Sequence, residues 1–138
     1  MINKYISNIL IQVEKLIKDE EYFLAGMKLM ELAEVGIVIE NKYIVTICTE
    51  LADVLRNSFA EIEYFKKKYD IKMVEKTIEM IFTLLKNLNN YNKDYSESEK
   101  AEILNLMMDI IYNAEKIQYI TKDIRIKKAG IIRRGPLL

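Results

Sequence analysis

The side chains of this 138-residue sequence that could do chemistry are mainly carboxylates, because histidine is absent and cysteine occurs once. A chain without histidine lacks the commonest general base near neutral pH, the usual partner of a serine or cysteine nucleophile, and a principal zinc ligand. The single Cys48 cannot form an internal disulfide or a thiolate metal site, and its place on an apolar helix face predicts a small buried side chain. The 4 glycines do not form either of the glycine-rich motifs that bind phosphate.

Two pairs of glutamates have a spacing that would place both carboxylates on one face of a helix: Glu31 with Glu34, and Glu99 with Glu102. Bundles that hold two metal ions with carboxylates also use Glu-x-x-His, which this chain cannot supply. The acidic run at 19–21 suits the first turn of a helix, where the helix dipole favours negative charge. We therefore predict a protein that is not an enzyme and that uses no cofactor, no metal and no small-molecule substrate.

Basic residues concentrate near the carboxyl end, although the net charge of the whole chain is zero. The segment 122–138 contains one acid and these basic residues: Lys122, Arg125, Lys127, Lys128, Arg133 and Arg134. Such a segment could neutralise phosphates, and Tyr119 just before it could stack on a base. Because the rest of the chain is acidic and no helix carries a long basic stripe, nucleic acid is the alternative partner rather than the preferred one.

Composition and hydrophobic spacing together predict an all-α protein. The chain is 51% hydrophobic and contains 1 proline and 4 glycines, so few residues interrupt helices. Apolar residues recur at intervals of three and four, which is the helical period. We predict five helices, at 3–18, 19–40, 41–69, 70–88 and 96–119, with a loop at 89–95. The alternative for the third helix is a break near Asn57, because Ser58-x-x-Glu61 matches a capping box.

The predicted second helix is apolar on almost every side, and between Tyr22 and Val35 only Lys28, Glu31 and Glu34 interrupt it. A helix with this pattern is typically buried. We therefore predict that the remaining helices pack around it.

The predicted architecture is an antiparallel bundle of about five long helices. We expect a single domain at 1–121, followed by a basic carboxyl-terminal tail at 122–138. The alternative is a short HEAT-like α-solenoid, since Glu-Leu-Ala-Glu-Val at 31–35 is nearly repeated by Glu-Leu-Ala-Asp-Val at 50–54. No uncharged run approaches the roughly 20 apolar residues of a membrane span, and we predict no membrane partner.

The last predicted helix carries more apolar surface than one packed face requires. Its apolar residues cover an arc of roughly 200° at the helical repeat, whereas one packed face needs somewhat over about 100°. The excess lies either between two helices of the same chain or against a partner, for which a homodimer is the commonest arrangement. The predicted partner-binding residues are Met107, Met108 and Ile111, since flexible thioethers adapt to irregular surfaces. The sequence therefore predicts a non-catalytic, cytoplasmic helical module that binds another macromolecule, preferably a protein.

Overall fold

The structure is a computed structural model that describes residues 2–64, 71–90 and 94–129. Its helices are α1 (Ile2–Lys18), α2 (Tyr22–Val38), α3 (Lys42–Asp53), α4 (Phe59–Tyr64), α5 (Ile71–Asn89) and α6 (Glu97–Ala129). A π-helical segment, Val54–Ser58, joins α3 to α4 without a break in the helical backbone. The described residues therefore form five helical rods and no strand, which confirms the predicted all-α bundle.

Neighbouring rods run antiparallel, as the short connections at 19–21 and 39–41 require for α1, α2 and α3. The rod formed by α5 runs back along α1. The Ser7 hydroxyl near the start of α1 donates to Asn89 Oδ1 at 2.8 Å, whereas Lys18 Nζ at the end of α1 lies 5.9 Å from the ring centre of Phe82. This contact between helices far apart in sequence favours a closed bundle over a solenoid, in which each repeat contacts only its neighbours.

Helix α2 is the centre of the amino-terminal half, where it packs against α1, α3, the π segment and α4. Its buried side includes Ala25, Leu29 and Leu32, each without measurable exposure. Tyr22, in its first turn, meets Phe59 edge to face with ring centres 5.2 Å apart. The prediction that other helices pack around this segment is confirmed on that side.

Side chains cap the starts of α6 and α3. At α6 the Ser96 N–H donates to Glu99 Oε1 at 3.0 Å, and the Glu99 N–H donates to Ser96 Oγ at 3.2 Å, which is the reciprocal pattern of a capping box. At α3 the Ile44 N–H donates to Asn41 Oδ1 at 3.1 Å. The break near Asn57 that Ser58-x-x-Glu61 suggested is absent, because the backbone stays helical through Ser58.

Other boundaries differ from the predictions. Helix α2 begins at Tyr22 with Glu21 as its N-cap, not at Asp19. The Asp19 N–H instead donates to the Lys15 carbonyl, which extends the end of α1, and its carboxylate pairs with Lys15 Nζ at 3.1 Å.

At the carboxyl end, α6 continues past the predicted end near Tyr119 to Ala129. The predicted division at residue 121 therefore falls inside a helix, and the division into domain and tail stays a prediction. Residue 70, the end of the predicted helix 41–69, and residues 91–93 of the predicted loop lie outside the described residues.

Candidate interaction surfaces

The three predicted partner-binding residues of α6 have different environments. Met107 is 6% exposed and belongs to the core, so its side chain packs within the chain and leaves little surface for a partner. Ile111 is partly buried against the same core. Met108 is 58% exposed, so it alone of the three presents most of its side chain to solvent.

Met108 is the middle residue of an apolar row on the outside of α6. Leu104 and Tyr112 stand one turn before and one turn after it, and they are 60% and 58% exposed. Residues four apart are neighbours on a helix, so these three form one row, which we call the α6 surface. Lys116 continues it, with its Nζ 4.5 Å from the ring centre of Tyr112. The four-residue spacing of Leu104, Met108 and Tyr112 was the signal in the sequence, although Tyr112 was not predicted to take part.

Helix α2 is not buried on every side, which contradicts the sequence prediction. Phe23, Leu24 and Met27 are 45%, 51% and 49% exposed, and we call them the α2 surface. Ile37 and Val38 are exposed at the other end of the helix. The physical reason is that neighbouring helices cover only the side that holds Ala25, Leu29 and Leu32. Composition states how apolar a helix is, but it does not state which of its sides has neighbours.

Arg56, in the π-helical segment, lies beside the α2 surface. The Arg56 side chain crosses α2 at Gly26, where a methyl group would collide with Arg56 Cγ and would stand 3.1 Å from the Ala52 carbonyl oxygen. Arg56 Cζ is 5.9 Å from the ring centre of Phe23, a cation–π distance. A widened helical turn, a glycine and an aromatic ring together therefore hold this guanidinium group in place.

The guanidinium group of Arg56 is only partly satisfied. Its Nε is buried and has no hydrogen-bond partner, and no described residue forms an ion pair with it. Charges nearby along the chain are negative: Asp53 stands one turn before Arg56, and Glu21 precedes Phe23 by two residues, both exposed. Lys28, the nearest basic residue on α2, is already paired with Glu31 at 3.1 Å.

One glutamate of each predicted pair takes part in contacts within the chain. Glu31 accepts from Tyr5 at 3.5 Å in addition to pairing with Lys28, and Glu99 belongs to the α6 cap. Glu102 lines a half-open polar pocket of about 180 Å³ between α5 and α6. Among the described residues, no cluster of His, Cys, Asp and Glu side chains is suited to hold a metal ion.

Cys48 is buried without measurable exposure, as predicted. Burial raises the pKa of its thiol to about 12. The thiolate is the nucleophilic form, so this cysteine is protonated and unreactive near neutral pH.

The predicted phosphate-contacting residues fall in two groups. Arg133 and Arg134 lie outside the described residues. The helical backbone of α6 includes the other four, which are Lys122, Arg125, Lys127 and Lys128. The structure thus brings four of the six onto one continuous helix. Across the described ranges, every helix is too short or too polar to cross a membrane.

Comparison with known proteins gives no information on the α6 surface or the α2 surface. No protein-family model matches the sequence, no curated protein matches it, and no solved structure matches the fold.

Proposed function

We propose that this chain is a non-catalytic, cytoplasmic protein-interaction module that forms a homodimer through its α6 surface. The observation that supports the proposal is the row of Leu104, Met108 and Tyr112, each more than half exposed on a single helix. Apolar rows of this kind on a soluble protein are typical of contact sites. A two-fold axis would place the same row of a second copy against it, which is the simplest closed arrangement.

The size of the row sets the expected affinity. Full burial of a large apolar side chain contributes about 1.5–3 kcal/mol, and these side chains are already partly covered, so each would contribute on the order of 1 kcal/mol. Association costs about 4–15 kcal/mol, because translational and rotational freedom is lost and side chains at the contact become ordered. The six side chains of two copies together contribute about 6 kcal/mol, whereas a micromolar dimer needs a net of about 8 kcal/mol. The proposed homodimer therefore also needs contacts from residues around the row.

Sedimentation equilibrium tests the homodimer. We expect the unmodified chain to be dimeric at tens of micromolar and Met108→Glu to be monomeric and still folded, because Met108 is 58% exposed. The matched control is Met107→Glu, one residue away, which should unfold the protein because it buries a charge in the core. A monomer at tens of micromolar for the unmodified chain would contradict the proposal.

Nucleic-acid binding is the second candidate function, and the continuity of α6 favours it. Lys122, Arg125 and Lys128 follow one another at intervals of three on that helix, a spacing that keeps positions on neighbouring turns. If these residues contact phosphates, affinity for a duplex or single strand should fall steeply with salt, and removal of residues 122–138 should abolish binding. Binding that is insensitive to salt, or that survives the truncation, would refute this function.

A further inference from the structure

We infer that the α2 surface, together with Arg56, binds a short segment of another protein that presents one carboxylate among apolar side chains. This inference rests on the proposed role as a protein-interaction module, but it concerns a different surface from α6. The occupant is specified by the charge of Arg56 and by the apolar groups around it.

Arg56 is the first reason to expect a carboxylate. A guanidinium group offers five donors in a planar fork that matches two carboxylate oxygens. Here the Nε is buried without a hydrogen-bond partner, and none of the described acids is paired with the group. An incoming carboxylate would therefore give the guanidinium group the ion pair that the described residues do not supply, through those of its donors that reach the surface.

The position of Arg56 is the second reason. Its stem is held across Gly26, and its charged end is 5.9 Å from the ring centre of Phe23. Because the side chain is already ordered by these contacts, little of its rotational freedom remains to be lost on binding. The guanidinium group therefore offers a fixed rather than a mobile charge.

The apolar residues around Arg56 specify the rest of the segment. Phe23, Leu24 and Met27 are each about half exposed, so they can bury further area against apolar side chains that flank the carboxylate. Burial of this kind also removes water from the Arg56–carboxylate pair and strengthens it.

The surrounding charges restrict where the segment can carry its own. Asp53 and Glu21 are exposed and lie close along the chain to Arg56 and Phe23, and a second carboxylate placed against either would be repelled. The complementary segment thus has one acid, aligned with Arg56, and neutral or basic residues at its ends.

Selection from a displayed library of random 16-residue peptides, with the full-length unmodified chain as the target, tests this inference. Peptides are then synthesised with a fluorophore and titrated with the chain and its variants. Some peptides should bind the double variant Phe23→Ser/Met27→Ser more weakly than the unmodified chain. We expect these peptides to share one Asp or Glu between apolar residues. Arg56→Met, which keeps an aliphatic stem over Gly26 but removes the charge, should weaken their binding at least tenfold.

The matched control is Lys28→Met, which removes a positive charge from α2, the helix that carries Phe23 and Met27, and should change affinity less than twofold. The affinity of Arg56→Lys for the peptides should lie between those of the unmodified chain and Arg56→Met, because lysine keeps the charge and loses the planar set of donors. Thermal melts of the variants verify that each is folded. The inference is overturned if the selected peptides lack an acid, if Arg56→Met binds them as tightly as the unmodified chain, or if none depends on Phe23 and Met27. The peptides should also bind monomeric Met108→Glu, so failure here and failure of the homodimer are separate results.

Discussion

Two tyrosines near the start of α3 and of α6 make different use of their hydroxyl groups. The rings of Tyr43 and Tyr95 are 5.8 Å apart. The Tyr95 hydroxyl donates to the carbonyl of Asn87 at 3.0 Å and approaches that of Asn90 at 3.4 Å, which ties the chain before α6 to the end of α5. The Tyr43 hydroxyl is buried beside Tyr95 and forms no hydrogen bond of good geometry. Burial, and then the neighbouring Tyr95, raises the pKa of Tyr43 above its ordinary value.

Substitution of these tyrosines by phenylalanine should therefore have unequal effects. Tyr95→Phe should lower the free energy of unfolding by about 1 kcal/mol, since it removes the hydrogen bond that joins the chain before α6 to the end of α5. Tyr43→Phe should leave stability unchanged or raise it slightly, because it removes a buried group that has no partner. Urea denaturation measures both. Equal losses for the two variants would contradict the assignment.

Cys48 predicts a dependence of stability on alkaline pH. Its thiol has an ordinary pKa of 9.0, and burial raises the pKa to about 12 in the folded chain. Above about pH 9 the unfolded thiol loses its proton while the folded thiol keeps it, so the contribution of Cys48 is complete below pH 9 and is lost as pH rises toward 12. The difference in unfolding free energy between the unmodified chain and Cys48→Ala should therefore shrink from pH 8 to pH 11. A constant difference would show that the thiol has the same pKa in both states.

At the scale of helices, local signals could be predicted from the sequence and the coverage of surfaces could not. Ser96 with Glu99, and Asn41, form caps whose donors and acceptors lie within a few residues of each other. The start of α2 is harder to predict from the sequence, because each member of the acidic run 19–21 could cap it. The π-helical turn has no local signal, since Val54–Ser58 also fits an ordinary helical pattern. The exposure of the α2 surface depends on which sides of α2 the other helices cover, and those helices are distant in sequence.

The turn between α2 and α3 holds a residue whose backbone is unfavourable for its type. Glu40 has φ of 57°, the left-handed region in which a side chain costs energy and glycine does not. Glu40→Gly should therefore raise the free energy of unfolding by up to about 1 kcal/mol. Glu34→Gly, in the middle of α2, should lower it by about 1 kcal/mol, because glycine is a poor helix former. Thermal or urea unfolding measures both, and a loss in both variants would contradict the interpretation of the turn.

At the scale of the whole molecule, α6 is longer than α5, the helix it packs against. It has 33 residues, whereas α5 has 19, and at about 1.5 Å per residue the difference is roughly 20 Å. The buried residues described on α6 end with Ala114 and Ile117.

The contact of Arg56 with Phe23 also belongs to the scale of the whole molecule, because it joins residues that only the folded bundle brings together. It could not be predicted from the sequence.

Truncation tests the predicted division of the chain. A protein of residues 1–121 keeps Ala114 and Ile117, so its melting temperature should stay within about 4 °C of that of the full chain, a shift that corresponds to roughly 1 kcal/mol. A protein of residues 1–113 loses both buried side chains and should be clearly destabilised. Circular dichroism during heating measures the melting temperatures of both truncated proteins. If the 1–121 protein melts far below the full chain, residues 122–138 belong to the domain.

The short connections at 19–21 and 39–41 have a consequence for the order of folding. Contacts among α1, α2 and α3 close small loops, whereas the contact of α1 with α5 must close a loop of more than fifty residues. Loop closure costs entropy that grows with length, so local contacts form earlier on average. We expect the first three helices to form the folding nucleus and α6 to join after the rate-limiting step. In stopped-flow kinetics, Leu32→Ala should mainly slow folding and Ile110→Val should mainly speed unfolding. On a ribosome, the first three helices would then assemble while the rest of the chain is still being made.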